Sequence, residues 1–262
     1  RSSGTAVDVI PVDGEGRVDL ARLEAMLHGP NLLVSVMLAN NETGVIQPIA
    51  DVVALARKAG ALVHVDAVQG FGKLPVNFGL LGCDLMTVAA HKVGGPVGAG
   101  ALVVRDGLVV EPLLVGGGQE LRRRAGTENL AAIAGFAAMA REDRIDTKDL
   151  QHLLESSLEH VVILGTGAAR LPNTTCLALP GSRAETLLMN LDLAGVAVSS
   201  GSACSSGKVG RSHVLEAMGV PAEISSAAIR VSLGWNSTAA DVQHFITVWK
   251  QLAERHKARQ AA

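Results

Sequence analysis

The chain has 262 residues, a formal net charge of −2 and a mean hydropathy of +0.31. With four Phe, two Trp and no Tyr it has little aromatic surface for stacking on bases, and its densest basic run, Arg122-Arg123-Arg124, is too short for a nucleic-acid footprint. The longest apolar stretch, residues 130–140, is bounded by Glu128 and Arg141 and falls short of the ~20 residues that span a bilayer, so it predicts a buried helix and no membrane anchor. From residue 7 to about residue 104, short β-branched runs alternate with helical patterns. Strands are expected at 7–12, 32–38, 61–65, 85–89 and 101–104, and helices at 19–28 and 49–59. Asp19 is placed to cap the first helix, Pro48 stands where a first turn tolerates it, and Gly60 ends the second helix. The alternation predicts an α/β fold with a mostly parallel sheet flanked by helices.

A Gly-rich stretch, Gly116-Gly117-Gly118, leads through the arginines and Gly126-Thr127-Glu128-Asn129 into the apolar helix. The polar stretch 141–148 is the least periodic between two well-patterned regions, so a boundary is expected there, dividing the chain into domains 1–143 and 144–262. The second domain reads as a smaller α+β unit. It has a helix near 149–160, strands near 161–164 and 174–179, a helix near 183–194, a strand at 196–198 and a loop at 199–207. A strand at 229–233 and a long amphipathic helix at 239–257 close the chain.

Asp66 ends the run Ala61-Leu62-Val63-His64-Val65, and His91-Lys92 follows Leu85-Met86-Thr87-Val88-Ala89-Ala90, so both polar groups fall where strands stop. In an open α/β sheet that edge binds ligands. A lysine there can form a Schiff base with an aldehyde, and a carboxylate facing a pyridine nitrogen keeps the ring able to accept electrons. The pattern points to pyridoxal 5'-phosphate. The same residues also fit Asp66 as the cap of a following turn and Lys92 as a solvated loop cation.

The loop Ser199-Ser200-Gly201-Ser202-Ala203-Cys204-Ser205-Ser206-Gly207-Lys208 invites three readings. A phosphate-binding P-loop fails, because the spacing from Gly201 to Gly207-Lys208 is one residue too long and Val209 replaces the required Ser or Thr. Ser205 and Lys208 match a Ser-x-x-Lys pattern, but neither of its companion motifs, Ser-Asp-Asn and Lys-Thr-Gly, occurs. The third reading is a nucleophilic Cys204, reached easily among small residues. The three cysteines, Cys83, Cys176 and Cys204, are odd in number and lack a Cys-x-x-Cys pair, which points to neither a disulfide framework nor a zinc site. No Gly-x-Gly-x-x-Gly follows a strand and no His-Glu-x-x-His occurs, so Rossmann and zincin readings lapse. The first residues, Arg1-Ser2-Ser3-Gly4-Thr5, hold no initiator Met and no apolar signal core, and the cytoplasm is the expected location.

Six separated segments agree in order with one family. They are Ala39-Asn40-Asn41-Glu42-Thr43-Gly44, His64-Val65-Asp66-Ala67-Val68-Gln69, Ala90-His91-Lys92, Arg124-Ala125-Gly126-Thr127, the loop from Ser199 to Cys204, and Ala228-Ile229-Arg230-Val231-Ser232-Leu233-Gly234. Together they resemble the cysteine desulfurases of the class V aminotransferase fold, over essentially the whole chain. The resemblance implies a large cofactor-binding domain at 1–143 and a small domain at 144–262 carrying the cysteine loop. It implies that Lys92 holds pyridoxal 5'-phosphate and shuttles a proton, that Asp66 pairs with the ring nitrogen, that Gln69 serves the phenolic oxygen, and that Asn41 approaches that oxygen and the substrate carboxylate. His91 would lie by the phosphate, and Thr127 would reach the phosphate held by the other subunit of a homodimer, unless Thr127 caps the following helix. Arg230 would clamp the carboxylate of L-cysteine through its planar fork. Cys204 would then take the sulfur as a persulfide, release alanine and pass the sulfur to an acceptor protein such as an iron–sulfur scaffold, or into tRNA or cofactor thiolation. Cys83 and Cys176, in or near strands, are expected to be inert.

Two departures accompany the resemblance. Family members usually carry a Ser two residues before the His-Lys pair, where this chain has Ala89-Ala90, so one phosphate hydrogen bond of ~1 kcal/mol or more is lost. The chain also begins where the family's large domain is already under way, without the segment that supplies a phosphate-binding turn and a histidine stacking on the ring. The expectation is that this stretch alone holds cofactor weakly. A selenocysteine lyase or aminotransferase, and a weakly active or non-catalytic interaction fragment of the same fold, stand as alternatives at this point.

Overall fold

Val34, Val36, Val63, Val65, Met86 and Val88 alternate with polar, small or partly exposed neighbours along three successive strands, and that alternation builds the first sheet. The structure is a computed structural model that describes residues 4–30, 32–142, 146–201 and 212–260. In chain order the elements are α1 (Leu20–Met26), β1 (Leu33–Met37), α2 (Ile49–Lys58), β2 (Leu62–Asp66), α3 (Phe78–Leu81), β3 (Leu85–Ala89), β4 (Gly100–Val104), α4 (Leu130–Met139), α5 (Lys148–Ser157), β5 (Val162–Leu164), β6 (Thr174–Ala178), α6 (Ala184–Leu193), β7 (Ser199–Ser200), α7 (His213–Ala217), α8 (Ala222–Ser225), β8 (Ala228–Ser232) and α9 (Ala239–Gln260). Two compact units divide them. One comprises Leu27–Leu38 and Ile49–Arg144, and the other comprises Arg1–Met26, Ala39–Pro48 and Ile145–Ala262.

The first of these units holds the sheet β1-β2-β3-β4, in which β1 and β2, and β2 and β3, run parallel and β4 closes the edge antiparallel to β3. Helix α2 stops as expected, with Gly60 in the left-handed region at φ 70°. Helix α4 does not behave as the sequence predicts. Only Ala132 is buried, whereas Leu130 is 71% and Ile133 45% exposed. A helix apolar on every side carries no facing information, so neighbours rather than pattern decide its burial. Within this unit it packs through Phe136, edge-on to Phe71 with centroids 5.9 Å apart, and through Gly135, where a β carbon would stand 2.6 Å from the Pro96 ring.

The second unit holds the antiparallel sheet β5-β6-β8-β7. Leu177, Ile229 and Val231 face a core shared with Leu154 of α5, Leu187 and Leu191 of α6, and Ile246 and Trp249 of α9. Cys176, Ala178 and Ala228 face a smaller core with Leu215 and Met218. Every residue of β6 is therefore buried, as a strand covered on both faces requires. In α1, Asp19 Oδ1 accepts from the Arg22 N–H at 3.0 Å, realising the expected cap.

Two predicted strands are absent as drawn from sequence. Residues 7–12 form no strand, and only Val12 bridges to Val18. Residues 196–198 are replaced by β7 at Ser199–Ser200, because Val196 N–H still bonds back to Leu191 O at the end of α6 and ladder pairing starts only at Ser199 opposite Arg230. Short helices α3, α7 and α8 carry too few turns for periodicity to reveal them. Among the described residues no helix is long and apolar enough to cross a membrane.

Arg170 grips Glu155 with both ends of its fork, at 2.8 Å each, and Thr175 Oγ1 adds a third bond to the same carboxylate at 2.7 Å. Burial raises the Glu155 pKa, but these bonds outweigh it and hold the carboxyl below its ordinary value of 4.5. A depressed carboxyl adds stability above its unfolded value and loses it as pH falls through the lower folded one. Glu155→Gln should therefore destabilise the protein at pH 7 and converge on the parent only as pH falls through the lowered folded value, below the ordinary 4.5, measured by urea midpoints across pH; a constant gap would refute the ionic account. Leu177→Ala, at a fully buried position, should lower unfolding free energy by about 2–5 kcal/mol in the same assay.

Candidate functional site

Parallel strands β2 and β3 are in register with Asp66 opposite Thr87, so both end at the same edge of the sheet. Asp66 is the last residue of β2. Two residues past Thr87, β3 ends at Ala89 and turns at once into a 3-10 turn, Ala90–Lys92. That turn is clamped by Ala90, whose N–H donates to Ala99 O at 3.1 Å and whose carbonyl accepts from Val93 and Gly95 at 3.0 and 2.9 Å. Gly95 comes so close that a β carbon there would stand 3.1 Å from Ala90. The sequence-expected pair is thus brought to one edge, with Lys92 half-buried and His91 exposed.

Asp66 also caps the next turn, because its Oδ1 accepts from the Val68 N–H at 3.0 Å. Gln69 sits in that turn, its Oε1 accepting from Lys73 Nζ at 3.4 Å, and Lys73 is only 9% exposed. Strand alternation puts His64 on the same face as Asp66. Its ring nitrogens lie 2.8 Å from Ser35 Oγ and 3.3 Å from Thr87 Oγ1, linking three strands. Burial pushes the His64 imidazole below its ordinary value, with the Asp66 charge pulling the other way.

Thr127 is exposed and follows Gly126, whose φ of 101° favours glycine. The helix cap that the sequence offered to Thr127 belongs instead to Asn129, whose side chain accepts from the Ala132 N–H at 3.2 Å. Asn can reach N3 from the position adjoining α4, and Thr127 is two residues too early.

In the other unit, Arg230 and Asn41 come together. Arg230 Nη1 donates to the Asn41 carbonyl at 2.7 Å and Nη2 to Ser199 Oγ at 3.2 Å, while the buried Nε–H has no partner among the described residues. The Asn41 carbonyl is aimed by Asn40, whose Oδ1 accepts from the N–H groups of Glu42 and Thr43 at 2.8 and 3.0 Å. Sequence reading passed over Ser199, Glu42 and Ser212 as individuals. Ser212 shows an N-cap signal, since it directly precedes α7 and accepts from Leu215 N–H. Buried Glu42 had no signal beyond its place in the Asn40–Gly44 motif.

Cys204 lies outside the described residues. Cys83 and Cys176 are buried free thiols; burial pushes Cys83 up and Cys176 to about 12, with Glu42 adding to the second shift. Among the described residues no group of three or more His, Cys, Asp or Glu is placed to hold a metal ion.

The first cluster combines an amine, a carboxylate and an amide, and the second a guanidinium with an unpartnered donor. Known proteins have similar chains. A family profile described as aminotransferase class-V matches residues 1–245. Cysteine desulfurase 2 of Trichormus variabilis is 41% identical over 265 residues, covering 97% of this chain and 67% of its own length. The solved NifS-like protein from Rickettsia africae superposes with a TM-score of 0.86 at 39% identity, over 94% of this chain and 69% of that one. A structure of SspA in complex with cysteine matches with a TM-score of 0.79 at 26% identity, over 90% and 69% of the two chains. The chain thus spans about two thirds of these relatives.

Because thiolate is the reactive form, Cys83 and Cys176 should resist iodoacetamide in the native protein at pH 8 and react only after denaturation, read by mass spectrometry of peptides. Rapid native labelling of Cys176 would contradict its burial.

Proposed function

The chain belongs to the class V aminotransferase family and, within it, to the pyridoxal 5'-phosphate-dependent cysteine desulfurases, and from that membership we propose how its own residues divide the work. The observation that carries the assignment is Asp66 and His91-Lys92 at the shared carboxyl edge of β2 and β3. The donor chemistry fits the cofactor. Lys92 offers a primary amine to the aldehyde, Asp66 a carboxylate to the ring nitrogen, and His91 and Thr127 donors to the phosphate, Thr127 across a homodimer. Gln69 has its oxygen taken by Lys73, so its NH2 is the end that serves the phenolic oxygen. When bound, the cofactor supplies an electron sink for the substrate carbon.

Arg230 holds the carboxylate of L-cysteine, supported by Asn41. Its guanidinium is already oriented by Asn41 O and Ser199 Oγ, and the unpartnered Nε–H leaves a donor for an anion. The SspA complex with cysteine supports that substrate. Lys92 moves the proton at the substrate Cα. Cys204 attacks the substrate sulfur: its Sγ–S bond forms, the Cβ–S bond breaks, and its electron pair stays with Cβ, which takes a proton to give alanine. The persulfide passes to an acceptor protein, such as an iron–sulfur scaffold, in the reducing cytoplasm. In this division, residues 1–143 hold the cofactor and residues 144–262 carry the cysteine. A homodimer is supported by apolar side chains exposed just ahead of Thr127, among them Leu113 at 95% and Leu121 at 87%.

The test is alanine formation from L-cysteine. Cys204→Ala should lower it on the order of a thousandfold or more while keeping the visible absorbance gained on adding pyridoxal 5'-phosphate. Lys92→Ala should lose that absorbance. Alanine release by Cys204→Ala at the parental rate would overturn the sulfur-acceptor assignment and favour a lyase that does not use this thiol.

A further inference from the structure

Lys73 is 9% exposed, and an ammonium is rarely taken so far from water unless a partner receives it. Its Nζ donates to Gln69 Oε1 at 3.4 Å, four residues back along the chain. The backbone makes that meeting regular. Gly70 and Phe71 N–H both bond to Ala67 O, at 3.0 and 2.8 Å, and Lys73 and Leu74 N–H both bond to Gly70 O, at 3.1 and 2.9 Å. Two such successive turns bring residues four apart to one side, as in a helix. The same segment is fixed to the sheet edge that carries Asp66 and Lys92. Ala67 N–H bonds to Thr87 O of β3 at 2.9 Å, and Phe71 packs edge-on against Phe136.

An amide is nearly symmetric in shape, so a glutamine in a cofactor site can present either its oxygen or its NH2, and packing alone does not choose. Lys73 does choose. With Oε1 facing the ammonium, the NH2 is turned away from it, whereas the reversed amide would set donor against donor. We propose that Lys73 is a positioning residue for the cofactor, its buried amine fixing the Gln69 amide so that a donor and not an acceptor faces the phenolic oxygen of pyridoxal 5'-phosphate. The proposal rests on the reading of Gln69 as the group that serves that oxygen. In this role Lys73 acts through Gln69 and makes no bond to the cofactor. Its removal therefore weakens cofactor binding without abolishing it, and does so only while Gln69 is present.

The experiment titrates pyridoxal 5'-phosphate into the full protein freed of cofactor and reads Kd from the visible absorbance gained. Lys73→Met keeps the apolar stem and loses the donor, and should raise Kd about three- to tenfold, the size expected for one hydrogen bond. Gln69→Ala should raise it at least as far, and both variants should move the absorbance maximum of the bound cofactor in the same direction. Adding Lys73→Met to Gln69→Ala should change Kd by less than about twofold more, because the amide it orients is gone. Where Lys73→Met does not fold, Gln69→Glu carries the test. It keeps an oxygen toward Lys73 and replaces the NH2 with a second oxygen, and should bind at least as weakly as Gln69→Ala. If Gln69→Ala binds cofactor as the parent does, the reading of Gln69 fails and the proposal with it. If Gln69→Ala is weakened while Lys73→Met binds as the parent, or if the two losses multiply in the double variant, the positioning role alone is overturned. Parental binding by Gln69→Glu, or complete loss of the visible band in Lys73→Met, overturns it too.

Discussion

A guanidinium set in the middle of a covered strand constrains much of what surrounds it. β8 places Arg230 between β6, buried along its whole length, and β7. A charge in that position needs acceptors close by. Asn41 O and Ser199 Oγ supply them, and each imposes a condition on its own segment. For Asn41 to present its carbonyl, the chain must turn at 40–44, which Asn40 enforces through its side chain and Gly44 permits with φ of 76°. For Ser199 to present its hydroxyl, pairing with β8 must begin there, and not at the apolar residues just before it.

The turn is secured from its far side as well. Gly44 O accepts from Leu171 N–H and Ala169 O from Ile46 N–H, both at 2.8 Å, so the segment around Val45 runs beside 169–171. Arg170, next in that stretch, closes on Glu155 of α5 and thereby reaches the core behind β6. Packing, capping and ion pairing in this unit thus converge on the geometry of one side chain. The paired unit achieves its order differently. There the parallel register of β2 and β3 suffices to bring Asp66 and Lys92 to one edge, and the Ser35–His64–Thr87 contacts stitch the strands beneath them.

Much of the framework was legible from local pattern. The β-branched runs that became β1, β2, β3, β6 and β8 alternate or stay apolar over enough residues to announce themselves, and α2, α5, α6 and α9 have length enough for a stop signal or an amphipathic face. Strand ends were readable because Asp66 and His91-Lys92 interrupt apolar runs sharply. The reading failed where the local signal carried no direction. Helix α4 is apolar all round, so its exposed Leu130 and Ile133 could not be foreseen, and Val196 to Val198 are as β-like as any strand but are spent on leaving α6 and packing against the core.

By itself the sequence determined the family, the order of its motifs and the chemical kinds of group available, because residue type and spacing along the chain are enough to specify them. Which groups actually meet was a tertiary matter. Glu42 and Ser212, far apart in sequence, share a bond because burial leaves the carboxyl needing a donor and the fold brings one; Asn129 and not Thr127 caps α4 because the helix starts at Leu130, two residues too far along for Thr127 to reach its first turn. Hydrogen bonds and burial depend on distances that close only when the chain packs, and no periodicity along the chain encodes them.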